Sequence, residues 1–248
     1  MQIIAVSNIK GGVGKTTTAV NLAFLSAAAG QSTVLWDLDP QGAATYILRG
    51  EPNERASAKK LVRGTRELSE LVAGTDYPGL DLLPAALSYR NFDLHMNERK
   101  HPTERLLRMS RPLRESYERL FLDCPPGMSL LSENVLRAAD AVVVPTVPSP
   151  LSLRMLEQLF DLVASAGWSD LRILPFFSMV DRRKSLHEEV IAATRERLPA
   201  VLATEVPYWS EIERMSVRRA PLPAFAPRSP AALVYTRLSA EITARLCS

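Results

Sequence analysis

The chain has 248 residues, of which 46% are hydrophobic and 23% charged, with a formal net charge of +3 and a pI near 9.0. That is enough apolar material for one α/β domain with a substantial core, and the mild basicity permits a polyanion partner without requiring one. The longest apolar runs, such as AVVVP at 141–145, are of strand length and fall short of the ~18 residues of a membrane span.

Strands are expected at 2–8, 33–39, 80–85, 119–125, 141–146, 172–180 and 202–207. Helices are expected between them, at 15–29, 102–115, 129–139, 151–166, 185–198 and 229–246. Near-continuous apolar strands alternating with helices describe a mostly parallel central sheet covered on both faces, in one α/β domain spanning 1–248. The stretch 50–78 is the least regular, polar and charged, with a helix around 57–73. No repeat, low-complexity tract or linker interrupts the pattern, and a first strand at residue 2 leaves no room for an additional N-terminal domain. That first strand ends in a glycine-rich loop, unlike a signal peptide. Two cysteines, Cys124 and Cys247, provide neither a disulfide framework nor a metal cluster and point to reducing cytosol.

Residues 8–18 read NIKGGVGKTTT. Gly14, Lys15 and Thr16 complete the end of a G-x-x-x-x-G-K-[ST] phosphate loop, but Ile9 stands where its first glycine belongs and a second lysine, Lys10, follows. A strand precedes the loop and an Ala/Leu-rich helix follows, which is the setting such a loop requires. Gly11, Gly12 and Gly14 let the backbone curl with its N–H groups inward at a helix N-terminus. Lys15 can then reach β- and γ-phosphates and the Thr16 hydroxyl can ligate Mg²⁺, with Val13 and Thr17 completing the nucleotide-binding stretch. The competing reading is a ligand-free strand-to-helix turn. Asp37 and Asp39 close the second strand and Asp123 closes an apolar run, LFLD. At strand ends a carboxylate can hold Mg²⁺ or orient an attacking water, although a helix N-cap explains any single one of them.

The combination KGGVGKTT, DLDPQG and DCPPG resembles the ParA/MinD superfamily of deviant Walker-A ATPases. The stretch DLDPQGAAT is most similar to its ParA branch. The likeness covers essentially the whole chain, including EVP at 205–207 and YTRLSAEI near the end. It implies a P-loop NTPase fold and a weak, Mg²⁺-dependent ATP hydrolase that closes as an ATP-sandwich homodimer. By the same likeness Lys10 crosses the interface to the partner's phosphates, offsetting their charge as an arginine finger does. Asp39 positions the hydrolytic water, Asp37 supports the Mg²⁺ and Thr16 region, and Asp123 is the Walker-B carboxylate. The PPG at 125–127 is a γ-phosphate switch, and Pro207 opens the late nucleotide loop. Asp181 matches a position that contacts adenine. A carboxylate there accepts from the N6 amino group and repels guanine O6, favouring ATP over GTP; the alternative is a cap for the helix at 185–198.

ParA relatives coat nonspecific DNA and MinD relatives bind membrane. Leu238, Ile242 and Leu246 form one narrow apolar stripe, which suits a last helix docked on the domain rather than a membrane anchor. Candidate DNA-binding residues are Arg182, Arg183, Lys184, Arg214, Arg218 and Arg219. Interleaved acids leave a solvated mixed surface as the alternative. The chain departs from the family at PYWSEIERM (207–215), where Glu211 replaces a usual arginine, and at PSPLSLR (148–154). The expectation is a cytoplasmic, nucleoid-associated ATPase that positions a plasmid, chromosome region or protein assembly. A ParB-like or adaptor protein would stimulate its hydrolysis. The rivals are a MinD-like membrane regulator, a reductase of the nitrogenase-iron-protein type with paired interface cysteines, and a small-molecule ligase with a related loop.

Overall fold

A computed structural model describes residues 1–53 and 56–247; Glu54 and Arg55 in the irregular stretch, and Ser248, lie outside them. The first half runs β1 (Gln2–Val6), α1 (Lys15–Ala28), β2 (Thr33–Asp37), α2 (Ala43–Ile47), α3 (Ala58–Arg63), β3 (Ala73–Gly74), β4 (Leu80–Leu83), α4 (Phe92–Asn97) and α5 (Arg105–Ser110). The second runs β5 (Arg119–Asp123), α6 (Leu130–Ala138), β6 (Ala141–Thr146), α7 (Pro150–Ser165), β7 (Arg172–Val180), α8 (Ser185–Arg197) and β8 (Val206–Pro207). It ends with α9 (Ser210–Arg218), α10 (Leu222–Phe225) and α11 (Pro230–Cys247).

One sheet holds the strands in the order β3-β4-β2-β5-β1-β6-β7-β8. Every pairing is parallel except β3 with β4. Alternation along each strand feeds two cores. Ile3, Ala5, Val34, Trp36, Leu120 and Leu122 face Leu61 of α3, Phe92 of α4, Val135 of α6 and Leu156 of α7. Ile4, Val6, Leu35 and Phe121 face Ala19 and Leu22 of α1, Met215 of α9 and Leu238 of α11. With both faces covered, the central strands read as continuous apolar runs.

The terminal stripe of Leu238, Ile242 and Leu246 is buried in the second core, as a docked last helix requires. Among the described residues no helix is long and apolar enough to cross a membrane.

Three expected elements change form. The helix around 57–73 stops at Arg63, because Gly64 takes a left-handed φ of 72° as its C-cap. The helix expected over 102–115 is a 3-10 turn at Pro102–Glu104, then α5, then a 3-10 turn at Arg111–Glu115 with Pro112 in it. Proline lacks the N–H that a continuous α-helix would use. The strand expected over 202–207 is reduced to Val206–Pro207, because the N–H groups of Ala203 and Thr204 donate to the Glu241 carboxylate at 2.6 and 2.9 Å instead of to a neighbouring strand.

Candidate functional site

The phosphate loop lies at the carboxyl ends of the central strands, where parallel sheets place their ligand crevice. β1 is in register with β5 on one side and β6 on the other, with Val6 opposite both Asp123 and Val143. Asn8 fixes the loop as it leaves the strand: its Nδ2 donates to the Pro145 carbonyl at 2.8 Å and its Oδ1 accepts from the Lys10 N–H at 2.9 Å. Gly12 and Gly14 hold φ of 71° and 91°, a region that L side chains rarely enter. A Cβ on Gly14 would also meet Ser178 Oγ at 3.2 Å. Gly14 is the N-cap of α1, which has no side-chain cap and no acid in its first turn. Its leading N–H groups are therefore left for an anion.

Lys15 is buried, and its ammonium donates to the Lys10 carbonyl at 2.9 Å. Burial lowers its pKa, opposed chiefly by the charge of Asp123. Lys10 itself is exposed, and among the described residues its ammonium has no partner. The two lysines thus do different things: one closes the loop and the other is left over.

Asp37 and Asp123 are register partners on β2 and β5, and both are fully buried. Asp37 is well satisfied. Its Oδ2 accepts from the Thr45 N–H and the Thr45 hydroxyl, both at 2.8 Å, and its Oδ1 accepts from the Asp39 N–H at 3.2 Å. It therefore caps the first turn of α2, and burial raises its pKa to about 6 against those hydrogen bonds. Asp123 is not satisfied: among the described residues neither oxygen has a hydrogen-bond partner. Burial, and then the Asp37 charge, push its carboxyl well above the usual range, opposed by the Thr16 hydroxyl and Lys15.

A buried carboxylate with both oxygens free, beside a hydroxyl and a phosphate loop, fits a hard cation. Among the described residues no group of three His, Cys, Asp or Glu forms an all-protein metal cage. Mg²⁺ needs none, because it is held by one or two protein ligands plus phosphate oxygens and water. Thr16 and Asp123 are the fitting pair, with Asp37 behind them.

A cavity of about 400 Å³ runs from the loop past Asp39 and Pro126 to Pro207, Trp209 and Tyr235. Gly11, Gly12, Gly14, Lys15, Thr16 and Thr17 line its phosphate end, while Val13 is buried beneath. Asp39 Oδ1 accepts from the Gln41 N–H at 2.9 Å. The loop after β5 is tied to the phosphate loop, since the Gly127 N–H donates to the Ile9 carbonyl at 2.9 Å.

At the far end the wall is aromatic and apolar. Met179, Tyr208 and Trp209 contribute to it without having been expected, whereas Pro207 was. Met179 sits at a register shift between Ser178 and Val180 with φ of 57°. The aromatic pair was visible in the PYW that closes the last predicted strand; the bulge was not.

The structure does not bring Asp181 into this cavity. Arg183 grips its carboxylate, Nε to Oδ1 at 2.8 Å and Nη2 to Oδ2 at 2.9 Å, and holds its pKa far below the usual carboxylate range. Nor does Asp181 cap α8, whose N-cap is Lys184 with no side-chain cap.

The late basic residues fall into two groups. Arg183 is paired with Asp181, and Arg182 lies 3.3 Å from Glu205. Arg214 and Arg218 are exposed on α9, and Lys184 is exposed before α8. Arg219 is turned inward: its Nε donates to the Tyr46 carbonyl at 3.0 Å and its guanidinium lies 4.6 Å from the Tyr46 ring centre. Cys124 is buried and Cys247 exposed, and both are free.

Comparison with known proteins extends the likeness beyond the loop. Residues 1–169 match a family model described as an AAA domain. The chain is 37% identical over 254 residues to the chromosome-partitioning ATPase Soj of Thermus thermophilus, covering 98% of this chain and 96% of that one. It is 33% identical over 202 residues to the chromosome partitioning protein ParA of Caulobacter vibrioides, covering 79% and 76%. Among solved structures, cobyrinic acid a,c-diamide synthase from Mycobacterium smegmatis with bound ADP and magnesium matches with a TM-score of 0.81 and 26% identity, over 100% of this chain and 96% of that one. With a family model matching residues 1–169 and 37% identity to a relative over 98% of its length, the chain belongs to the ParA/MinD family of P-loop ATPases.

Proposed function

We propose that this protein is an ATP hydrolase that dimerises on Mg-ATP, binds nonspecific DNA in that state and positions a cargo, with a partner protein stimulating hydrolysis. The observation that carries the reading is the division of labour between the two lysines. Lys15 directs its ammonium inside its own loop, while Lys10 presents an exposed one with no partner among the described residues. Such a cation is suited to a second subunit's phosphates, where it offsets charge that two facing triphosphates would otherwise concentrate.

Bound magnesium supplies charge neutralisation at the β- and γ-phosphates. Thr16 and Asp123 hold the ion's side of the site, Lys15 and the N-terminus of α1 bind phosphate oxygens, and Asp39 orients a water. The loop at 125–127, hydrogen-bonded to Ile9, follows any movement of the phosphate loop. The apolar wall at Met179 and Trp209 suits a base, but with Asp181 held by Arg183 outside the cavity the reason for expecting ATP over GTP is withdrawn. Relatives that partition chromosomes support the cargo-moving role.

Fluorescence anisotropy with duplex DNA of random sequence, in ATP and in ADP, tests the reading. Tight binding with ATP and weak binding with ADP is expected; equal binding in the two contradicts it. Liposome co-sedimentation separates the membrane-bound alternative, against which the burial of Leu238, Ile242 and Leu246 argues. The likeness to a diamide synthase raises a ligase reading, which requires ADP formation that depends on an added small-molecule substrate and not on DNA or a protein.

A further inference from the structure

Residues 99–114, RKHPTERLLRMSRPLR, contain six lysines and arginines but one acid, Glu104. Arginine recurs at every third position, 105, 108, 111 and 114, through α5 and the 3-10 turn that follows it. Three residues advance about 4.5 Å along an α-helix and about 6 Å along a 3-10 helix, where side chains at i and i+3 eclipse. The guanidinium groups therefore form a ridge. Arg111 and Arg114 are exposed, and their side chains have no partner among the described residues. Glu104 is shared between Arg108 at 3.1 Å and Arg137 at 2.9 Å, so even the one acid is divided.

At one end of the ridge is a cavity of about 260 Å³, lined by Arg63, Arg66, Arg105 and Arg108 together with Glu67, over Leu68 and Met109, and Arg66 lies 3.8 Å from Glu70. Arg105 Nε is buried with no hydrogen-bond partner, an orphan donor that costs the fold stability until an acceptor arrives. By contrast, Arg182, Arg183 and Arg219 in the late basic group are already engaged within the chain.

We infer that residues 99–114 form a second polyanion-binding ridge, which takes the phosphate backbone of duplex DNA. The inference rests on the DNA-binding reading above and adds the surface that meets the DNA. A regular line of guanidinium groups fits a regular line of phosphates without reading bases. An acidic peptide would call for apolar anchors along the ridge, but Leu106 and Leu113 are buried and no large apolar side chain of 99–114 is exposed, which leaves only the cavity at its end. The ridge is also fastened to the nucleotide site. Asn134 of α6 accepts from the N–H groups of Arg105 at 2.8 Å and Leu106 at 3.2 Å, and donates to the Pro102 carbonyl at 2.9 Å. α6 starts three residues beyond Gly127, the residue bonded to Ile9.

The test is anisotropy with random-sequence duplex DNA in Mg-ATP over a salt series, in an Asp39→Ala parent, with and without Arg111→Glu/Arg114→Glu. The ridge predicts binding at least ~10-fold weaker and a log–log salt slope shallower by about two, from two lost phosphate contacts. An unshifted thermal melt checks that the pair variant folds; if it does not, Arg111→Gln/Arg114→Gln decides, with an effect of the same sign and about half the size. Unchanged DNA affinity in the folded variant overturns the ridge and leaves the DNA-binding reading standing. No DNA binding by the parent overturns both. Binding of poly-glutamate in place of DNA, lost in the variant, overturns the inference in favour of an acidic peptide.

Discussion

Asp37 and Asp123 face each other across neighbouring strands, equally buried, yet one carboxylate receives three hydrogen bonds and the other none. Asp37 builds the site by anchoring α2. Asp123 is left with both oxygens unpartnered among the described residues. The asymmetry gives Asp37 a structural role and supports the metal-holding role proposed for Asp123, and each half has measurable consequences.

Asp123→Asn keeps the shape and removes the charge. Without metal or nucleotide at pH 8, the variant should melt at or above the parent temperature, because an unpaired buried carboxylate costs roughly 1–3 kcal/mol. Mg²⁺ should then cease to raise the melting temperature in the presence of nucleotide. A variant that melts lower and still responds to Mg²⁺ would show that Asp123 is not the ion's ligand.

Thr45→Val is nearly isosteric. It removes a hydroxyl that donates to Asp37 and accepts from the Ala85 N–H, both at 2.8 Å. Chemical denaturation should reveal a loss of about 1–3 kcal/mol, since both partners stay buried. A loss below about 0.5 kcal/mol would mean that the network is replaced by water.

Asp37 titrates near 6 in the folded chain instead of 3.8, so the folded state retains a proton that the unfolded chain has released. Its contribution to stability is complete below the unfolded value and is lost as pH rises through about 6. Metal-free melts should therefore show the parent losing stability relative to Asp37→Asn between pH 4 and pH 7, by on the order of 3 kcal/mol at most. A parent that gains on the variant over that range contradicts the assignment.

Lys15→Ala removes both the phosphate lysine and the bond that curls the loop. ATP affinity should fall by ~100-fold or more, about 2.7 kcal/mol, followed by the fluorescence of Trp209 in the cavity wall. Unchanged affinity would remove the nucleotide from this loop.

Much of this was legible in the chain because the deciding features are local. QIIAV, RLFLD and AVVVPT carry unbroken apolar runs, IIAV, LFL and AVVVP, as strands covered on both faces require, and KGGVGKTT specifies its own turn. Features set by distant partners were hidden. The helix pattern of 102–115 looked continuous, but Pro112 and the clasp of Asn134 on the N-terminus of α5 divide it. Asp181 looked like a base contact, and only the fold shows that Arg183, two residues on, occupies it. Arg219 read as a surface charge, while a left-handed φ of 48° turns it onto Tyr46, far back in sequence. That Asp37 is satisfied and Asp123 is not depends on Thr45 arriving from α2, which no spacing of carboxylates encodes.

The most direct test is the mass of Asp39→Ala in saturating Mg-ATP by light scattering, with and without a second change, Lys10→Ala. The account predicts that 27.4 kDa doubles for Asp39→Ala and stays single once Lys10 is removed. A single-chain mass with hydrolysis blocked, or an undiminished dimer without Lys10, would contradict it.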